Sequence, residues 1–87
     1  MVKKKIRVEL LTAPGCSKCA KAKENIKSIL NRFKDKVNYT EIDVSKNPKK
    51  LLKFGVMMTP AIIINNKLEF EGTPSERELE EKLKEKK

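Results

Sequence analysis

The stretch TAPGCSKCAKAK, residues 12–23, contains Cys16 and Cys19, the only thiols of the chain. This spacing puts two sulfurs within one helical turn. They could close a disulfide, share a soft metal ion, or pack as small apolar side chains that never react. A closed four-ligand zinc site needs two more strong ligands. The chain has no His and no further Cys, so carboxylates or a second protomer would have to complete such a site. Cu(I) is satisfied by two thiolates, which makes a copper carrier the stronger metal reading. Redox exchange needs one thiol that ionises readily and a second that resolves the mixed disulfide made by the first.

The elements that position the pair set its two sulfurs apart. From Lys4 to Leu11 the residues alternate, with Ile6, Val8 and Leu10 on one face and Arg7, Glu9 and Leu11 on the other. That period predicts a strand with one strongly buried side. Ala13-Pro14-Gly15 ends it. From Ser17 onward Cys19, Ala22, Ile26, Ile29, Leu30 and Phe33 recur at spacings of three and four, the stripe of a helix packed on a core. Cys16 therefore falls at or just before a helix N-terminus, where unpaired N–H groups and the helix dipole favour thiolate over thiol. Lys18 and Lys21 add positive charge nearby, with the helix end the larger influence. Cys19 shares the apolar face with Ala22 and Ile26 and is the more shielded. Cys16 is thereby assigned as nucleophile and Cys19 as resolving thiol. Cys16 lies on a turn and not on the apolar stripe, so inert core packing does not account for it.

The rest of the chain supplies further elements. Val37 to Val44 is rich in β-branched and aromatic residues and reads as a second strand. Ser45, Asn47 and Pro48 mark a helix start, and Gly55 caps a short helix carrying Leu51, Leu52 and Phe54. After GVMMTP, the run AIIIN suits a strand buried on both faces. Asn65-Asn66 forms a two-residue turn, and in the returning strand Leu68 and Phe70 alternate with Glu69 and Glu71. Thr73-Pro74-Ser75-Glu76 reads as a capping box with Pro at the first helical position. Leu79 and Leu83 form the buried side of the final helix, among Glu78/Lys82 and Glu80/Lys84 pairs. The order is β-α-β-α-β-β-α. Small copper carriers with a CxxC after the first strand have the order β-α-β-β-α-β and usually a Met two positions before the first Cys. This chain ends on a helix and has Pro14 there, and both differences favour redox chemistry.

A chain of 87 residues suffices for one small domain, 1–87, and not for a catalytic domain plus a substrate domain. In MVKKKIRVELL a basic run precedes apolar positions, but Arg7 and Glu9 interrupt them and leave no signal-peptide core. No apolar run is long enough to span a bilayer. The expectation is a cytoplasmic protein, a setting in which a close cysteine pair is catalytic or metal-binding more often than a structural staple. The net charge of +9 raises the question of nucleic acid. The basic residues are spread along the whole chain, Arg occurs only at 7, 32 and 77, and one Tyr and three Phe offer little for base stacking. The charge fits instead a Lys- and Glu-rich solvated surface, as in thermophile proteins, that attracts acidic protein partners.

ELLTAPGCSKCAKAK, GVMMTPAIIINNKLEFEG and TPSERELEEKL together resemble the small glutaredoxin-like thioredoxins found chiefly in archaea, and the resemblance covers nearly the whole chain. It implies an α/β thioredoxin/glutaredoxin-like fold, a four-stranded mixed sheet with helices on both faces, and protein disulfide reductase activity. It further implies a monomer that takes electrons from a dedicated reductase and passes them to disulfide-containing proteins. Neither nucleic acid nor membrane is involved, and no organic or metal cofactor is required because the electrons reside in the two sulfurs. Residue by residue, Cys16 and Cys19 form the active pair and Thr59-Pro60 lies opposite with Pro60 cis. The substrate surface combines Pro14, Gly15, Ser17 and Lys18 with Met58, Thr59 and Pro60, where the backbone before the proline pairs with the substrate chain. One of Met57 and Met58 is expected to pack inward and the other to join that surface.

The chain departs from relatives in three ways. Gly15 stands where larger thioredoxins have Trp. Their buried acid in the first strand falls on Leu10, while Glu9 points to the opposite face, so the proton of Cys19 must move through water or another group. The Pro-Tyr pair and the Gly-Gly turn of glutaredoxins are replaced by SK and EGTP, which implies protein substrates rather than glutathione.

Overall fold

The computed structural model describes residues 6–33 and 36–85. Lys4 and Lys5, assigned above to the first strand, lie outside them. The elements are β1 (Ile6–Thr12), α1 (Ser17–Leu30), β2 (Val37–Asp43), α2 (Pro48–Phe54), β3 (Ala61–Ile64), β4 (Lys67–Glu71) and α3 (Glu76–Glu85). The order matches the sequence reading. The four strands form one sheet in the order β2-β1-β3-β4. β1 is parallel to β2 and antiparallel to β3, and β4 returns antiparallel to β3.

Helices cover both faces. Ile26 and Ile29 of α1 and Leu79 and Leu83 of α3 pack with Val8, Leu10, Ile62 and Ile64 on one side. Leu51 and Phe54 of α2 pack with Leu11, Ala61 and Ile63 on the other. β1 and β3 are thus central strands buried on two sides. For β3 the unbroken run AIII announces this, whereas in β1 the alternation conceals it, because the α2-side positions include Glu9. That carboxylate is 6% exposed and is held by Lys50 at 3.2 Å.

Three local expectations are revised. In β4, Phe70 pairs with Ile62 and Leu68 with Ile63, leaving Glu69 as a bulge. The extra residue turns Leu68 and Phe70 to opposite faces, so each covers one of the two core layers. The cap of α3 is Ser75, not Thr73: the Glu78 N–H donates to Ser75 Oγ at 3.1 Å, and the Ser75 N–H donates to the Glu78 carboxylate at 2.9 Å. Pro74 precedes the cap, and Thr73 is engaged elsewhere. Glu78 being used in the cap and Glu80 in an ion pair with Arg32, Lys82 bridges Glu69 and Glu85 in place of the expected helical partner. No described helix is long and apolar enough to cross a membrane.

Candidate active site

β1 delivers the chain to the site and α1 carries it away. Between them Gly15 adopts φ +74, a conformation that strains any side chain, and this turn brings Cys16 to the N-cap of α1. Cys16 is partly exposed and its Sγ accepts the Cys19 backbone N–H at 3.2 Å. A sulfur thus occupies the place usually taken by a Ser or Asp oxygen, satisfying one of the helix's unpaired donors. The first turn of α1 has no acidic side chain to oppose negative charge there, and Lys18 and Lys21 extend outward into solvent. Cys19 is 6% exposed and faces the core with Ala22 and Ile26. The two cysteines are joined as a disulfide with their Cα atoms 5.3 Å apart.

The opposite wall is the segment from Gly55 to Pro60. Gly55 ends α2 with φ +65, and Val56 turns inward. Both methionines then face solvent, Met57 at 91% and Met58 at 49% exposure. The inward Met expected from the sequence is absent because Val56 already fills that edge of the α2-side core. Thr59-Pro60 is cis, Pro60 is buried, and its carbonyl accepts the Gly72 N–H at 2.7 Å. The Thr59 hydroxyl donates to Cys16 Sγ at 3.7 Å, which joins the two walls directly.

Of the other residues proposed for substrate contact, Pro14, Gly15, Ser17 and Lys18 are exposed around the cysteines. The Lys18 carbonyl accepts the Thr73 hydroxyl at 3.2 Å. Beneath it, Asn25 is 8% exposed and donates to the Pro74 carbonyl at 2.9 Å. Thr73 and Asn25 together fasten the segment before α3 to the helix that carries the cysteines. Asn25 was missed in the sequence, although its place between Ala22 and Ile29 on the apolar stripe is a signal of a polar group buried for a purpose. Leu10 is fully buried beside the α1 layer and offers no proton, and Glu9 is turned away to Lys50 on the α2 face. Among the described residues no three His, Cys, Asp or Glu side chains are gathered to hold a metal ion.

A sulfur held by a helix N-terminus, with its partner sealed one turn deeper, is suited to reversible exchange with another disulfide. The fold and this pair define a thiol–disulfide oxidoreductase. Comparison with known sequences agrees, and the chain belongs to the thioredoxin-domain family, whose sequence model matches residues 4–84. It is 38% identical over 80 residues to a thioredoxin of Methanocaldococcus jannaschii, covering 92% of this chain and 94% of that protein. A probable thioredoxin of Methanothermobacter thermautotrophicus is 35% identical over 78 residues, covering 90% and 92%. Among solved structures, thioredoxin-2 of the malaria parasite superposes with a TM-score of 0.83 at 20% identity, covering 98% of this chain and 86% of that one. Fasciola hepatica thioredoxin gives 0.80 at 21%, covering 98% and 84%. These structures share the fold.

Proposed function

We propose that Cys16 attacks substrate disulfides and that Cys19 resolves the product, so that the chain reduces disulfides in other proteins. The carrying observation is the Cys19 N–H donated to Cys16 Sγ while Cys19 itself is buried. In the reduced protein the Cys16 thiolate attacks one sulfur of the substrate disulfide. A Cys16–substrate bond forms, the substrate S–S bond breaks, and the second substrate sulfur leaves as a thiolate that takes up a proton. Cys19 gives up its proton and attacks Cys16 Sγ, expelling the first substrate sulfur. Two electrons have passed to the substrate and the Cys16–Cys19 disulfide remains. With Leu10 in place of an acid, the Cys19 proton passes to water or to the departing thiolate.

In this reading Pro14, Gly15, Ser17 and Lys18 line one side of the bound substrate and Met58, Thr59 and Pro60 the other. Met58 and Thr59 make no backbone–backbone hydrogen bond among the described residues, which supports their pairing with an extended substrate segment. A dedicated thioredoxin-reductase-like protein returns the electrons, and no bound cofactor takes part. The chain works as a cytoplasmic monomer, with 1–87 as one domain. The exposed methionines and the basic surface suit protein substrates better than glutathione.

Trapping tests the division of roles. Cys19→Ser, mixed with a disulfide-containing protein such as insulin, should accumulate a mixed disulfide through Cys16, and Cys16→Ser should accumulate none. Equal trapping by both variants would overturn the assignment.

A further inference from the structure

The segment that faces the cysteines, Met57 to Thr59, belongs to no helix or strand. At its far end Pro60 is fixed by the Gly72 N–H and leads into β3. At its near end the Met57 N–H donates to a side chain: Glu71 Oε2 accepts it at 2.8 Å. Glu71 and Gly72 are adjacent at the end of β4, and Glu71 pairs with Ala61 across the sheet. One dipeptide thus grips both ends of the wall.

The Glu71 carboxylate is exposed, and a free carboxylate would gain by full hydration. Here one oxygen is committed to a backbone donor in a segment whose own side chains, Met57 and Met58, are turned out to solvent. Met57, 91% exposed, buries almost nothing and so contributes little to fixing the backbone at this end of the segment, while Met58 is half-exposed. The contact with Glu71 removes conformations in which Met57 swings away from the sheet, and it leaves the next backbone groups, at Met58 and Thr59, free for a partner.

We propose that Glu71 is a positioning residue for protein substrates: it holds the Met57–Thr59 backbone ready to pair with an extended segment of the substrate, and so favours disulfides within polypeptides over small disulfides. The inference rests on the proposed substrate wall. The chemistry at sulfur does not involve Glu71, so its effect falls on the affinity for chains long enough to reach the wall.

The test compares wild type, Glu71→Ala and Glu71→Gln in two assays: turnover of insulin with dithiothreitol as electron donor, and single-turnover reaction of the pre-reduced protein, freed of dithiothreitol, with the small aromatic disulfide 5,5′-dithiobis(2-nitrobenzoate). The Gln side-chain oxygen still accepts the Met57 N–H, so Glu71→Gln should match wild type. Glu71→Ala should raise KM for insulin about fivefold with kcat little changed, the loss of one hydrogen bond at an exposed site. Its rate with the small disulfide should be unchanged. Three results would each overturn the proposal: Glu71→Ala equal to wild type on insulin, Glu71→Gln as impaired as Glu71→Ala, or equal losses on both substrates. Failure of the wild type to reduce insulin would instead refute the proposed function.

Discussion

The hydroxyl of Thr59 donates to the sulfur of Cys16 across 3.7 Å, linking two residues 43 positions apart in the chain. With the Cys19 N–H, it gives this sulfur two donors, one from each wall of the site. Retained in the reduced protein, two such donors stabilise a thiolate on Cys16.

Thr59→Val keeps the shape and removes the donor. In the reduced protein it should slow alkylation of Cys16 by iodoacetamide at neutral pH by about two- to fivefold, as expected for one weak hydrogen bond. Thr59→Ser should retain the wild-type rate. An unchanged rate in Thr59→Val would show that the hydroxyl does not act on the reduced sulfur.

Asn25 acts on the scaffold instead. Asn25→Ala leaves the Pro74 carbonyl without its donor in a buried place and opens a gap beneath the start of α3. The loss should be about 1–2 kcal/mol, lowering Tm by about 5–10 °C in a domain of this size. Thermal unfolding followed by circular dichroism measures it, and a Tm within a degree of wild type would contradict the role given to Asn25.

Glu9 and Lys50 form the ion pair between β1 and α2, with side-chain exposures of 7% and 32%. Lys50→Met strands a carboxylate under α2 and should cost about 1–2 kcal/mol, less than for a fully buried pair because Lys50 reaches water. Replacing both, as Glu9→Leu with Lys50→Met, should restore most of that loss. Urea unfolding of the three proteins decides it: a double variant less stable than the single one would mean that the pair itself is stabilising.

A pH effect arises at the end of β2. The Asp43 carboxylate accepts both the hydroxyl of Ser45, at 2.6 Å, and its backbone N–H, at 2.9 Å. These bonds, the hydroxyl first, hold Asp43 below its ordinary value of 3.8. A group lowered by folding stabilises the native state above its unfolded value and loses that contribution as pH falls through the folded one. Ser45→Ala removes the hydroxyl and should move the Asp43 titration upward, toward but not fully to the ordinary value, as followed by carbon NMR of the carboxyl. An unmoved titration would contradict the assignment of cause.

Much of the site was legible in the sequence because it depends on local structure. Gly15 followed by a cysteine ahead of an apolar helical stripe places one sulfur at a helix end and the other on the core side, and the structure has that arrangement. AIII read as a strand buried on both faces, Asn65-Asn66 as a turn of positive φ, and Gly55 as a left-handed cap, since each follows from a few neighbouring residues. What remained hidden depends on registers and distant partners. The capping box read on Thr73 to Glu76 gives way to Ser75 and Glu78 because Thr73 and Pro74 are bonded to α1. Nothing near Glu69 signals a bulge and nothing near Glu71 announces its bond to Met57, while Thr59 was expected opposite the cysteines only from the family resemblance, without its bond to Cys16. The cis bond at Pro60 was expected only from the family resemblance, because most X–Pro bonds in folded proteins are trans.

The central claim is that Cys16 and Cys19 carry two electrons reversibly between disulfides. Its most direct test is equilibration of the metal-free protein in thiol buffers of graded potential, with the reduced and oxidised forms counted by mass. One reversible two-electron transition between free thiols and the Cys16–Cys19 disulfide is expected, in the range of thioredoxin-type couples at about −270 mV. A protein that forms no intramolecular disulfide at any potential, or whose thiols stay protected until a chelator is added, would contradict it.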